Sequence, residues 1–417
     1  MLAVYRLLIV LVAPLALIWL RWRIAGPAEL RARWKERLGQ VPMAGERPVL
    51  WLHAASVGEV NAIAALVEAL LERYPEHSLV VSTITVTGRA EAIRRFGDRV
   101  ETVFAPLDTP WLVGRWLKRI RPRLAMVAET EIWPELYRGC RKRGVPLVLV
   151  NARLAPSAMQ RYERFRSLFA GALSAVDLAI CQSEDDAQRF RDLGMDKDRV
   201  AMAGNLKFDR ILPDNLGATV RRLREQWGER ATWVAGSTRP GEETIVLEAH
   251  RQLRERRSDA LLILAPRHPD RSVEIRGLIE EAGMKQQSFD ETIEADTAIV
   301  LVDRIGVLQS CYAAAPAAFV GGSLVDIGGH NLLEPAAFGK AVIAGPHLHQ
   351  QADSARALRA NGALLEVHDA DELAQAVGSI WEDPQCALDY GRAALEVVEN
   401  GRGSVRRTLK LIEPLIS

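Results

Sequence analysis

The chain has 417 residues, of which 48% are hydrophobic and 26% are charged, and its formal net charge is +1. At about 150 residues per domain, this length predicts two or three globular domains. A nearly balanced charge excludes bulk electrostatic binding to nucleic acid as the main activity. The four cysteines are far apart and show no CxxC or Cys/His metal spacing, so we expect buried thiols in a reducing compartment.

The N-terminus is an apolar segment, residues 7–20, interrupted only by Pro14 and followed by Trp and Arg residues. No small-residue cleavage site follows it, so a removable signal peptide is excluded. We predict a retained membrane-anchor helix over residues 1–23 that spans the bilayer or dips into one leaflet. The basic residues after it predict that the following domain stays on the cytoplasmic side. The alternative is a buried core helix.

A second basic segment runs from Trp111 to Arg123 and contains two Trp residues, five basic residues and no acidic residue. Close to a membrane anchor, such a segment would suit anionic lipid or an anionic acceptor. The alternative interpretation is a solvated helix face.

Short apolar runs alternate with helical patterns through the first half of the chain. Because these runs are continuous rather than alternating, they are typical of strands covered on both faces of a parallel sheet. The predicted strands are 49–53, 79–83, 102–105, 124–128, 147–151, 178–182 and 200–203.

The alternation breaks in a Pro-, Asp- and Gly-containing stretch and then begins again. The second series of predicted strands is 232–235, 261–265, 298–302, 317–320, 341–344 and 363–367. We therefore predict an α/β chain with two doubly wound, Rossmann-like domains facing a cleft. The predicted segments are a 1–23 anchor, a 24–208 domain, a 209–218 linker and a 219–417 domain whose last helices pack back on the first domain.

The loop His53–Glu59 follows the first predicted strand and opens a helix. Ligands bind at such carboxyl ends of strands in open α/β sheets. Glu59 has two interpretations here: Ser56 and Glu59 form the S-x-x-E pattern of a capping box, or the carboxylate accepts a proton from a substrate hydroxyl. Glu129 and Lys207 follow later strand ends of the same domain, where the alternatives are cleft chemistry, helix capping or surface charge.

The loop His53–Glu59 lacks the GxGxxG motif of dinucleotide-binding enzymes, and the sequence has no GxxxxGK[ST] loop, so phosphate binding needs other donors. Arg267 and His268 follow the strand 261–265 and have side chains suited to a phosphate. The glycine-rich segments 321–323 and 328–331 precede a helix, where backbone N–H groups can approach an anion. Glu334 in that helix is suited to a ribose diol.

His347 and His349 resemble a metal-binding pair, but the sequence offers no third ligand. Two surface histidines in a loop are the alternative, and we predict no metal site there.

Together the motifs resemble one family, the 3-deoxy-D-manno-octulosonic acid (Kdo) transferases of lipopolysaccharide synthesis. The resemblance spans nearly the whole chain and rests on several segments: HAASVGE (53–59), ETEIWPE (129–135), NARL (151–154), GNLKFD (204–209), APRHPDR (265–271) and GGHNLLEPAA (328–337).

The resemblance implies a GT-B glycosyltransferase that inverts the anomeric centre without a bound metal or other cofactor. It implies CMP-Kdo as the donor and the lipid A precursor lipid IVA as the acceptor. It also implies a location at the cytoplasmic face of the inner membrane, in contact with membrane lipid. Another enzyme of this architecture that uses UDP-sugars, or a nucleotide-sugar-binding protein without turnover, remains the alternative.

The resemblance also assigns roles to individual residues. It implies that Glu59 is the general base and that Glu129 and Lys207 stabilise the transition state. Its nucleotide-binding motifs match a larger set of positions: Arg267, His268, Ile305, Gly306, Val307, Asn331, Leu332, Leu333 and Glu334. Where this chain has Val307, the family often has an acidic residue, so a side-chain role there is in doubt.

Overall fold

The computed structural model describes residues 2–23, 33–129, 131–209 and 216–416, except the side chains of residues 14–23, 156, 157 and 161. The chain forms two compact units, one of Met1–Ile211 with Gly401–Ser417 and the other of Leu212–Asn400. Residues 210–215 of the predicted linker lie outside the described part.

The first unit is built on a seven-stranded parallel sheet with the order β3-β2-β1-β4-β5-β6-β7. Most of these strand residues are buried, as continuous apolar runs predict for a sheet covered on both faces. Its strands are β1 Val49–His53, β2 Ser78–Thr83, β3 Glu101–Phe104, β4 Pro122–Ala128, β5 Leu147–Ala152, β6 Leu178–Cys181 and β7 Val200–Met202.

Helices connect these strands and cover the sheet. Trp51 of β1 and Trp116 pack with ring centroids 4.6 Å apart in the core beneath one face. The helices are α1 Leu2–Arg23, α2 Val57–Ala62, α3 Ala64–Arg73, α4 Val86–Phe96, α5 Pro110–Ile120, α6 Pro134–Lys142, α7 Pro156–Arg164, α8 Arg166–Leu173 and α9 Glu184–Asp192.

The second unit has its own seven-stranded parallel sheet, in the order β10-β11-β9-β8-β12-β13-β14. Its strands are β8 Thr232–Thr238, β9 Leu261–Pro266, β10 Gln286–Ser288, β11 Ile299–Leu301, β12 Ala317–Val320, β13 Ala341–Ala344 and β14 Leu364–Glu366. Its helices are α10 Leu216–Trp227, α11 Glu242–Arg256, α12 Ser272–Glu281, α13 Leu308–Ala314, α14 Leu333–Ala336, α15 Ala352–Ala360, α16 Ala370–Glu382 and α17 Pro384–Gly401. The prediction of two parallel α/β sheets is confirmed.

The last helix, α18 Ser404–Ile416, belongs to the first unit. Ile412 and Ile416 are buried in the core on one side of the first sheet. Asp209 accepts hydrogen bonds from the backbone N–H groups of Gly403 and Val405, both at 2.6 Å. The C-terminal helix α18 therefore completes the core of the first unit. Asp209, at the end of the first half of the chain, caps the start of this helix.

The N-terminal apolar segment forms the helix α1, but among the described helices none has the length and hydropathy needed to cross a bilayer. The prediction of a spanning anchor over residues 1–23 therefore finds no support. One face of α1 is exposed and apolar, with Val4, Leu7, Leu8, Leu11 and Val12 between 51% and 62% accessible. The side chains of the Trp and Arg residues that end the helix lie outside the described part.

The basic segment from Trp111 to Arg123 has a buried apolar face, while four of its five basic residues are exposed. Trp116 is fully buried and donates its indole N–H to the carbonyl of Phe104 at 3.2 Å. Arg119 and Arg121 donate to backbone carbonyls of residues 41 and 44. Only part of the segment, including Trp111, remains as an exposed surface.

Candidate functional site

The conformation of the loop after β1 defines the direction of the Glu59 side chain. Ser56 is the N-cap of α2, and its hydroxyl oxygen accepts the Glu59 N–H at 3.5 Å. The Glu59 carboxylate accepts the Ala55 N–H at 2.7 Å and the Ser56 hydroxyl at 3.2 Å. Glu59 is thus a capping residue in this conformation, although its backbone partner is Ala55 rather than the expected Ser56.

Capping does not make Glu59 an ordinary surface carboxylate. Burial, together with the negative charges of Glu129 and Glu131, raises the pKa of Glu59 to about 8. The hydrogen bonds from Ala55 and Ser56 act in the opposite direction because they favour the ionised form. A carboxyl group with such a pKa can exchange a proton near neutral pH, which is what a general base requires.

The loop after β4 carries the other two carboxylates. Glu129 has a φ of 54°, a left-handed conformation that is strained for a residue with a side chain. Glu131 accepts the Trp133 indole N–H at 2.7 Å, and its backbone carbonyl accepts the Tyr137 hydroxyl at 2.6 Å. Burial raises the pKa of Glu131 above its usual range. Thr130 lies outside the described residues.

Lys207 is brought to the same edge of the sheet. Its Nζ lies 3.7 Å from Glu129 Oε1, and both side chains are about a fifth exposed, at 23% and 18%. Asn151, at the end of β5 with a φ of 52°, accepts the Leu206 N–H at 2.9 Å and so fixes the segment that carries Lys207. The structure therefore joins Glu129 to Lys207, and the electrostatic contribution of Glu129 and Glu131 links both to Glu59.

His53 is a member of this region that the sequence did not single out as a side chain with a role. It is fully buried, and burial lowers its pKa to about 4, so it is neutral at physiological pH. Its Nδ1 lies 2.9 Å from Ser82 Oγ, and its ring meets the Trp133 ring edge to face at 5.7 Å. Only its position at the end of β1 could have suggested a contact with Trp133, which precedes α6.

In the second unit, basic side chains gather where β8 and β9 end. Arg267 and His268 follow β9 and are exposed. Arg239 follows β8, and its Nη1 lies 2.6 Å from His268 Nε2. The sequence prediction ended β8 three residues early, at Ala235, and so did not bring Arg239 to the strand end. Burial, with the charges of Arg239 and Arg267, lowers the pKa of His268.

The glycine-rich segment 321–323 is not the phosphate cradle that the sequence predicted. Its backbone donors already bind an internal anion, the fully buried Glu242 carboxylate. Glu242 accepts the N–H groups of Gly322 at 2.6 Å and of Ser323 and Leu324 at 2.9 Å. It also accepts the Arg239 N–H at 2.9 Å. A Cβ on Gly321 would lie 2.6 Å from the Ser237 carbonyl oxygen, so only glycine permits this approach.

The second glycine-rich segment places His330 among the basic residues. Its Nε2 is buried without a hydrogen-bond partner among the described residues, and its ring packs against Gly322. Burial and the charges of Arg267 and Arg239 lower the pKa of His330 to about 4. His330 was not among the predicted site residues, although the GGHN segment contains it.

The predicted ribose-binding residues surround the start of α14. Asn331 Oδ1 accepts the Leu333 N–H at 3.1 Å, and Asn331 Nδ2 donates to Glu334 Oε1 at 3.5 Å. Leu332 and Leu333 are fully buried, so neither of these two predicted residues is exposed to a ligand in this conformation.

The predicted cytosine loop and the histidine pair lie at separate places in the second unit. Ile305 is 71% exposed, Gly306 has a φ of 97°, and Val307 precedes α13.

The Nδ1 atoms of His347 and His349 lie 3.5 and 3.6 Å from Asp326 Oδ1. In the part of the chain that the structure describes, no group of three His, Cys, Asp or Glu side chains is arranged to hold a metal ion.

Comparison with known proteins identifies relatives along the whole chain. A family model described as 3-deoxy-D-manno-octulosonic-acid transferase (kdotransferase) matches residues 32–210. A 3-deoxy-D-manno-octulosonic acid transferase of Haemophilus influenzae is 34% identical over 99% of this chain and 98% of its own length. The protein of the same name from Bordetella pertussis is 33% identical, with 98% of both chains covered.

Among solved structures, the fold is similar to that of the UDP-GlcNAc 2-epimerase from Neisseria meningitidis. The TM-score is 0.61 with 11% sequence identity, and the similarity covers 88% of this chain and all of the epimerase chain. At this identity the similarity concerns the fold alone.

Proposed function

The chain belongs to the 3-deoxy-D-manno-octulosonic acid (Kdo) transferase family, a family of glycosyltransferases, and we propose that it transfers Kdo from CMP-Kdo to the lipid A precursor lipid IVA. The single observation that carries the chemistry is the Glu59 carboxyl, whose pKa of about 8 suits a proton acceptor near neutral pH. The names of the relatives give Kdo as the transferred group, and CMP-Kdo and lipid IVA are the donor and acceptor that the sequence resemblance implies.

In the proposed reaction, Glu59 takes the proton of the primary hydroxyl of the acceptor as that oxygen attacks the anomeric carbon of Kdo. The bond from the anomeric carbon to the phosphate oxygen of CMP breaks, and its electron pair leaves with CMP. Attack from the face opposite CMP inverts the anomeric centre. Lys207, 3.7 Å from Glu129, offsets the negative charge of the Kdo carboxylate.

We propose that Arg267 and Arg239 offset the charge of the leaving phosphate and that His268 and His330 donate hydrogen bonds to it, in place of a metal ion. The hydrogen bond between Arg239 and His268 supports this grouping, as does the unpartnered Nε2 of His330. In analogous sites, loss of one such donor raises the barrier by about 2.7–4 kcal/mol. Transfer should therefore continue at an unchanged rate after exhaustive treatment with EDTA.

The nucleoside of CMP is assigned to the remaining residues of the second unit. Asn331 and Glu334 are hydrogen-bonded to each other and are available to a ribose diol. Leu332 and Leu333, which are fully buried, support the start of α14 from the core. The exposed loop Ile305, Gly306 and Val307 is assigned to cytosine through its backbone, since Val307 offers no polar side chain.

We also propose that α1 lies in the interface of the inner membrane, with both units on the cytoplasmic face. Support comes from the exposed apolar stripe of Val4, Leu7, Leu8 and Leu11, which has helical spacing. An amphipathic helix buries such a face about 5–10 Å into the headgroup and acyl boundary. This location would bring the first unit to the surface that contains the lipid acceptor.

The proposed function is tested by incubating the purified protein with CMP-Kdo and lipid IVA and measuring the mass of the lipid product by mass spectrometry. We expect a mass increase of one or more Kdo units and no product from Glu59→Ala, which should still fold. Calorimetry with CMP and UDP provides the control for the donor. A clear preference for UDP would contradict the Kdo assignment and favour a UDP-sugar enzyme of the same fold.

A further inference from the structure

The face of α1 opposite its exposed stripe is attached to the first unit by two side chains. The Tyr5 hydroxyl donates to Asp108 Oδ2 at 2.6 Å. Arg6 binds Glu135 with two parallel hydrogen bonds, from Nε at 2.6 Å and from Nη2 at 3.3 Å. Asp108 and Glu135 are only 4% and 2% exposed. The helix thus supplies donors to two buried carboxylates.

The same two carboxylates hold the start of α6. Asp108 accepts the backbone N–H groups of Glu135 at 3.0 Å and Leu136 at 2.7 Å, so it caps this helix from outside. Glu135 lies in the first turn of α6, where a negative charge interacts favourably with the helix dipole. Besides Arg6, its nearest described cation is Arg138, at 3.7 Å.

The acidic loop is fixed to α6 on the other side. Trp133 immediately precedes Pro134, and its indole N–H donates to the Glu131 carboxylate at 2.7 Å. Tyr137 of α6 donates to the Glu131 backbone carbonyl at 2.6 Å. Hydrogen bonds therefore connect α1 to the first turn of α6, and α6 to the loop that carries Glu131. The negative charge of Glu131 raises the pKa of Glu59.

We propose that Tyr5 and Arg6 are positioning residues for the acceptor half of the active site. By fixing the start of α6, they hold Glu131 and Trp133 in place beside Glu59. The activity part of this inference rests on the proposed function. It gives α1 a second role, since the helix acts on the catalytic loop as well as at the membrane surface.

The physical reason lies in the burial of Glu135. A buried carboxylate that loses its cation must either become protonated or move towards water. Both responses displace the first turn of α6 and, through Tyr137, the acidic loop. Small displacements of reacting groups have large kinetic effects, and a shift of about 1 Å can lower a rate about a hundredfold.

The first experiment compares Arg6→Gln and Tyr5→Phe with Arg99→Gln. The control removes an exposed ion pair between Arg99 and Glu68 in the same unit, away from α1 and the acidic loop. For Arg6→Gln we expect kcat/KM for lipid IVA to fall between about tenfold and about a hundredfold. The KM for CMP-Kdo, calorimetric CMP affinity and binding to anionic lipid vesicles should be unchanged. Arg99→Gln should match the wild type in all four.

A second variant separates positioning from simple loss of folding. Arg6→Gln/Glu135→Gln removes both charges, leaves no unpaired buried ion, and should recover most of the activity lost in Arg6→Gln. Hydrogen-exchange mass spectrometry supplies a readout that needs no activity. Amides of residues 129–137 should exchange faster in Arg6→Gln, while those of residues 216–400 should not change.

The outcomes distinguish the two proposals. If the wild type transfers Kdo and Arg6→Gln has wild-type kinetics and exchange, the positioning inference is wrong. If Arg6→Gln lowers CMP affinity and lipid transfer equally, its effect is general and the inference is again overturned. If the wild type shows no transfer but exchange at 129–137 rises in Arg6→Gln, the proposed function fails and the structural coupling stands.

Discussion

The raised pKa of Glu59 leads to a specific pH dependence. Burial raises this pKa from 4.5 to about 8, so at pH 7 only about a tenth of the free protein has Glu59 ionised. At about 1.4 kcal/mol per pH unit, this pKa shift means that the protein disfavours the ionised form by about 5 kcal/mol relative to a glutamate side chain in water. Because only the carboxylate accepts a proton, kcat/KM for lipid IVA should rise with pH and level off above about 8.

The substitution Glu129→Gln tests whether the pKa of Glu59 sets this pH dependence. Glu129 raises the pKa of Glu59 by charge repulsion and also pairs with Lys207. Its neutralisation removes the repulsion and frees the Lys207 cation, and both changes favour ionisation of Glu59. The midpoint of the pH profile should therefore move to lower pH, whatever happens to the plateau rate.

The assay is a kcat/KM profile between pH 5.5 and about 9.5, with product measured by mass spectrometry. The control is Glu91→Gln, which removes a partly buried carboxylate of α4 that pairs with Arg94. A wild-type midpoint below about pH 6, or the same midpoint in Glu129→Gln, would refute the assignment of the ionisation to Glu59.

Stability should follow the same ionisation with the opposite sign. A carboxyl whose folded pKa is raised stabilises the protein fully below its unfolded pKa of about 4.5 and loses this contribution as pH rises to about 8. Glu59→Gln keeps a neutral side chain at every pH. Its free energy of unfolding relative to the wild type should therefore increase between pH 5 and about 8.5, measured by urea denaturation.

Three further predictions concern strain, the glycine-rich segment and the exposed stripe. Glu129→Gly relieves the left-handed φ of 54° and should raise the free energy of unfolding by up to about 1 kcal/mol relative to Glu129→Gln, and equal stability of the two variants would argue against strain. Glu242→Gln weakens four charge-assisted hydrogen bonds, so it should lower the free energy of unfolding by at least about 2 kcal/mol. The variant should also bind CMP more weakly. Full CMP affinity in calorimetry would contradict this prediction. Leu7→Ser/Leu11→Ser should release the protein from anionic vesicles without changing CMP binding, whereas undiminished flotation with vesicles would exclude the stripe.

The sheets were predictable because their strands are covered on both faces. A strand of this kind needs a continuous apolar run, and runs such as 124–128 and 341–344 leave little ambiguity. The strand that the sequence did not reveal is β10, Gln286–Ser288. It has three polar residues at the edge of the sheet, so neither apolar content nor alternation distinguishes it from a loop.

The site was predictable where a residue follows a strand directly or lies in the segment that opens the next helix. Glu129 and Arg267 follow β4 and β9 directly, and Glu59 lies in the helix that begins after the β1 loop. The function of the 321–323 segment was not predictable, because the carboxylate that occupies its N–H groups, Glu242, lies about eighty residues earlier. No local pattern reports such a long-range contact.

The contacts of α1 illustrate the same limit. Hydropathy revealed an apolar N-terminal helix but gave no sign that Arg6, an interruption in that helix, binds the buried Glu135. A charged residue inside an apolar segment has either a partner or a solvent-exposed position, and only the fold decides between them.

Glu59 is the proposed proton acceptor in Kdo transfer. The most direct measurement is single-turnover transfer from CMP-Kdo to lipid IVA by the wild type and by Glu59→Gln, with CMP binding measured on the same samples. We expect Glu59→Gln to remain folded and bind CMP normally, with transfer reduced between about 10² and about 10⁴-fold. Transfer by Glu59→Gln at close to the wild-type rate would contradict the claim and leave Glu59 as a helix cap.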